Sequence, residues 1–152
     1  MLLSLVLLSA CNPSKVPEDA IWYTITVTGI GPDECHPGNT EGYQDAFDYA
    51  IGFTGSRADV YVDGEPFASG TINGCNLTYH TVVYGTTTDA GELKWELNGQ
   101  AQLDPGNDSC VEGDGDWMGT ETFTIVDTDI DDMDVPCDYP MSTTGTYVPP
   151  EG

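Results

Sequence analysis

The sequence predicts an all-β fold, an antiparallel meander of about seven strands that closes as a sandwich or a small barrel. Three observations point there. Apolar residues recur with a period of two along most of the chain. No window carries an apolar stripe at helical spacing. Two-residue turn signals separate the alternating runs.

The elements follow in order. Ile21, Tyr23, Ile25 and Val27 alternate with Trp22, Thr24, Thr26 and Thr28, which predicts a strand near 21–30. Phe47, Tyr49, Ile51 and Phe53 keep one parity and predict a second strand near 46–54. Val60 and Val62 mark a third near 58–63, with Gly55-Ser56-Arg57 as the turn before it. Asp63-Gly64 and Asn73-Gly74 are hairpin signals, because Asp and Asn tolerate positive φ and Gly adopts it freely. They bracket a strand near 66–72 and lead into one near 76–84. Leu93, Trp95, Leu97, Ala101 and Leu103 share one parity and predict a strand near 92–103, after a turn at Asp89-Ala90-Gly91. Within it, Asn98-Gly99 reads either as a bulge or as a turn that splits the run. Phe123 and Ile125 mark the last expected strand, near 117–126. The 18 threonines and 8 tyrosines suit half-buried pleated surfaces.

The chain divides into an apolar head (1–10), a polar tether (11–20) containing Pro13 and Pro17, a β domain (21–140) and an expected flexible C-terminal tail (141–152). The head, MLLSLVLLSA, is far too short to span a bilayer as a helix, which takes about 20 residues. Its length fits the apolar region of a secretory signal. The stretch Leu8-Ser9-Ala10-Cys11 resembles the lipobox of bacterial lipoproteins. That resemblance implies cleavage before Cys11, acylation of Cys11 by chains such as palmitate, and attachment to a membrane through the lipid. No Lys or Arg precedes the apolar run, which is expected if the true start lies upstream. Asn12 follows the cysteine where Asp would imply inner-membrane retention, so the resemblance implies an outer-membrane location in the cell envelope.

Four cysteines remain in an exported chain, and an even number implies two disulfides. No spacing is C-x-x-C, which excludes zinc-ribbon and thioredoxin-like sites. If 76–84 and 92–103 form a hairpin, Cys75 and Cys110 flank adjacent strand ends and pair. Cys35 then pairs with Cys137.

The charge sets the class of partner. Twenty-six acidic residues stand against 3 basic ones, for a formal charge of −23. Nucleic acid is excluded as a partner, because that affinity rests on Lys and Arg neutralising phosphates. Docking onto anionic lipid by charge is excluded for the same reason. Most of the acids are Asp and make a solvated surface. One cluster is denser. Asp127, Asp129 and Asp131 match the first three ligand positions of a calcium loop, but Asp132 replaces the turn glycine and Asp138 replaces the final Glu. Calcium is therefore the one cofactor to test. Asp108, Glu112, Asp114 and Asp116 form a second acidic loop, interleaved with glycines.

Catalytic chemistry finds little support. There is no G-x-S-x-G, H-E-x-x-H or phosphate loop. His36 reads as a turn residue and His80 as a strand-surface residue. A two-carboxylate hydrolase such as a glycosidase is the catalytic alternative, with acids about 5–9.5 Å apart in a cleft. Trp22, Trp117, Tyr61 and Tyr84 are the rings that face outward if any do, where they would serve a glycan or protein partner. The reading that results is a lipid-anchored envelope protein with a non-catalytic β domain for binding or surface interaction. A calcium-stabilised domain and the hydrolase are its alternatives.

Overall fold

The computed structural model describes residues 15–31, 34–35, 44–103 and 115–149. Nine strands are formed and none of the described residues is helical: β1 (Ile21–Gly29), β2 (Gln44–Thr54), β3 (Arg57–Val62), β4 (Glu65–Asn73), β5 (Asn76–His80), β6 (Tyr84–Thr88), β7 (Gly91–Leu103), β8 (Trp117–Thr128) and β9 (Cys137–Val148). Each of the first four pairs antiparallel with the next. β5 then pairs with the C-terminal half of β7, β7 with β8, β8 with β9, and β9 returns to β1. The result is an eight-stranded barrel. β6 is the extra strand, lying on the N-terminal half of β7 beyond the span that β5 covers. Closure removes the free edges that an open meander would expose.

The alternation read from the sequence sets the two faces. Tyr23, Ile25, Val27, Tyr49, Ile51, Val60, Leu97 and Leu103 are buried inside. Thr24, Asp48, Thr120 and Thr144 are exposed. An apolar interior with a polar exterior is the reverse of a membrane-spanning barrel, whose outer band is apolar. One end is plugged. Trp117 is 1% exposed, and three tyrosine rings (Tyr23, Tyr49 and Tyr79) lie with centroids 5.5, 5.8 and 6.1 Å from it. Its Nε1 donates to Thr143 Oγ1 at 2.9 Å, so the indole is both packed and hydrogen-bonded.

Several expectations are corrected. Residues 141–148, read as tail, form most of β9, the stave that joins β8 to β1. The β domain therefore runs to Val148. Within 141–148 the inward positions are Met141, Thr143, Gly145 and Tyr147, and the middle two are too polar or small to sustain a hydrophobic run. The expected strand 76–84 is broken at Thr81–Val83, so β5 closes the barrel while β6 leaves it. Asn98-Gly99 neither turns nor splits β7. The irregularity lies instead between Lys94 and Trp95, opposite β8. Asp63 and Gly64 form their hairpin with positive φ at both residues. The next hairpin shifts by one, because Asn73 pairs with Asn76 and leaves Gly74-Cys75 as the loop. The Cys35–Cys137 disulfide is present, with Cα atoms 5.2 Å apart, and ties the segment after β1 to the start of β9. It is the one bridge observed among the described residues. Cys75 is buried and is itself disulfide-bonded, and Cys110, its expected partner, lies outside those residues.

Candidate functional site

The end of the barrel opposite Trp117 is not filled. A cavity of about 410 Å³ lies there, lined almost wholly by apolar atoms. Its aromatic walls are Phe47, Phe67, Trp95, Phe123 and Tyr139, each half-buried. Val27, Val62, Leu97 and Met141 complete the walls, while Tyr49 and Glu121 supply the polar groups. These positions follow from strand direction. Val27 and Val62 lie near the C-terminal ends of β1 and β3, and Phe47 and Tyr139 near the N-terminal ends of β2 and β9. An eight-stranded barrel is wide enough to be packed by its own side chains or to hold one small ligand. Here Trp117 packs one half, and the other half is open.

Glu121 lies between the two halves. It is on β8 with the parity of Phe123 and Ile125 and is 2% exposed. Tyr49 Oη donates to its Oε1 at 2.9 Å, and Tyr79 Oη donates to the same oxygen at 2.5 Å. Oε2 takes no hydrogen bond from the described residues. Burial pushes this carboxyl above the ordinary glutamate range, and the two tyrosine hydrogen bonds pull it partway back. Burial, and then the Glu121 charge, raises both tyrosine hydroxyls, so both remain donors at neutral pH. The arrangement is a preorganised acceptor facing an apolar chamber.

The rings around it are ordered. Trp95 lies between Tyr84 and Phe123, with centroids 5.0 Å from each, and its Nε1 donates to Thr86 Oγ1 at 2.8 Å. Tyr84 Oη donates to the Phe67 carbonyl at 3.1 Å. The β6–β7 hairpin is thus fastened across the rim to β4. The break at Thr81 makes this overhang, and Thr81 Oγ1 accepts from Leu97 N at 2.9 Å there.

The residues singled out from sequence fall elsewhere. Asp127 Oδ2 is bound by Lys94 Nζ at 2.6 Å, which holds its carboxyl below the ordinary range. Asp129 Oδ1 accepts from Glu92 N at 2.6 Å, and Asp131 is exposed in the turn after β8. Among the described residues, no three His, Cys, Asp or Glu side chains are grouped as metal ligands. Asp116 is exposed, and the rest of its cluster, like Cys11 and His36, lies outside the described residues. His80 is exposed on the outer face of β5. Trp117, offered as an outward ring, is instead the core plug. Trp22, Tyr61 and Tyr84 are half-buried. Glu121 is the one carboxyl among the lining residues, so the acid pair that the hydrolase reading needs does not meet in this cavity. Sequence reasoning passed over Glu121. Its signal was an acidic residue on the core parity of β8. Comparison with known proteins adds nothing to this geometry: no protein family, curated protein or solved structure matches the chain.

Proposed function

We propose that this chain is an exported, lipid-anchored binding protein of the cell envelope that takes a small, largely apolar ligand into the mouth of its barrel. The cavity carries this reading. Ligand pockets of about 300–1,000 Å³ combine apolar walls with a few placed polar groups, and this one has five aromatic walls and a single buried carboxyl. A core of this size gains from being filled, because protein interiors pack as densely as organic crystals. The anchor fits the geometry. The tether joins at Ile21, on the Trp117 end, so a protein held by Cys11 presents its mouth away from the lipid.

The test is titration of the full chain carrying Cys11→Ser with N-phenyl-1-naphthylamine, a neutral apolar probe that brightens in dry surroundings. Saturable binding at one site per chain is expected. Val62→Phe should fill the chamber and weaken the probe at least about tenfold, with little change in melting temperature. Equal binding by the wild type and Val62→Phe overturns the reading.

A further inference from the structure

We infer that the ligand is an organic cation, a protonated amine on a compact apolar body, whose N–H bonds Glu121 Oε2 while its charge lies against the aromatic walls. This rests on the reading of the cavity as a ligand site and specifies its chemistry.

Four observations converge on a positive charge. First, no Lys or Arg among the described residues pairs with Glu121. The sequence holds three Lys and Arg residues. Arg57 is bound to Asp59 at 2.8 Å and Lys94 to Asp127 at 2.6 Å, both on the surface, and Lys15 is exposed ahead of β1. A buried carboxylate is costly unless paired, and a cationic guest supplies the counter-charge that these three side chains do not. Second, both tyrosine hydroxyls donate to Oε1. They hold the carboxyl in one orientation and leave the lone pairs of Oε2 to a visitor. An ammonium N–H there makes a charge-assisted bond in a dry site. Third, the walls are aromatic where aliphatic residues would serve an uncharged guest equally well. Ring faces attract cations by about 2 kcal/mol or more when water is excluded, and Phe47, Phe67, Trp95 and Phe123 surround the chamber. Fourth, the formal charge of −23 draws cations toward the molecule and repels anions such as fatty acids.

The experiment compares two guests of the same shape in the full chain carrying Cys11→Ser. Protonated N,N-dimethylbenzylamine and its uncharged carbon isostere, isobutylbenzene, each compete against N-phenyl-1-naphthylamine at pH 7. The amine is expected to bind about tenfold or more tightly. Glu121→Gln keeps an oxygen for the tyrosines and should erase that preference. Equal competition by the two guests overturns the cation and leaves the apolar-ligand reading standing. A preference that persists in Glu121→Gln overturns the role of Glu121. Failure of the probe itself to bind overturns both readings. Should Glu121→Gln not fold, the wild-type comparison of the two guests decides the matter alone.

Discussion

Glu121 stands where Phe123 and Ile125 predict an apolar side chain, and the barrel accommodates it with two hydroxyl donors from strands far apart in sequence. Removing those donors would leave a buried acceptor unsatisfied, at a cost of about 1–3 kcal/mol. The raised titration gives a pH dependence whose sign is fixed. An unfolded glutamate releases its proton near about 4.3, whereas the buried carboxyl keeps its proton to higher pH. Its contribution to stability is therefore complete below about 4.3 and declines as pH rises through the folded value. Glu121→Gln keeps the acceptor and cannot ionise. Thermal melts should show wild type losing stability relative to Glu121→Gln as pH rises above about 4.3. A difference that stays constant with pH would show that Glu121 does not titrate abnormally.

At the level of strands, the seam between β5 and β7 closes the barrel, and it depends on a glycine. Tyr79 pairs with Gly99, and a Cβ built at Gly99 would overlap the Tyr79 ring. The absent side chain is what lets Tyr79 lie flat and reach Glu121. Gly99→Ala should cost about 1–3 kcal/mol in urea denaturation, the usual range for overpacking. Because Tyr79 must move, the same variant should weaken probe binding. Unchanged stability and binding would remove this role from Gly99. β9 shows why element boundaries were harder to read than parity. Midway along its inner face, Thr143 and Gly145 meet Trp117 and Ile25, and they interrupt the hydrophobic period that Met141 and Tyr147 would otherwise show.

For the molecule as a whole, closed end and open end divide the work. The Trp117 cluster supplies packing, the other half supplies the chamber, and the Cys35–Cys137 bridge spans 102 residues at the open end. Cross-links over loops of that length stabilise chiefly by restricting the unfolded chain. The acidic exterior favours dispersal and keeps the surface from polyanions. On the proposed reading, attachment falls to the lipid. Cys11→Ser should abolish incorporation of labelled palmitate and release the protein from membranes, with its melting temperature unchanged. Continued labelling of the Cys11→Ser chain would overturn the anchor.

Alternation of apolar and polar residues in β1, β2, β3, β7 and β8 was legible in the linear chain, because a pleated strand sends successive side chains to opposite faces. With it came the all-β class, the hairpin at Asp63-Gly64 and the Cys35–Cys137 pairing. The choice of a barrel over a sandwich was not legible, since it depends on β9 meeting β1 across more than a hundred residues through backbone hydrogen bonds that carry no side-chain signal. Nor was the chamber. Periodicity says which residues face inward, but only the packed barrel shows that the inward residues fill one half and leave the other open around a single carboxyl.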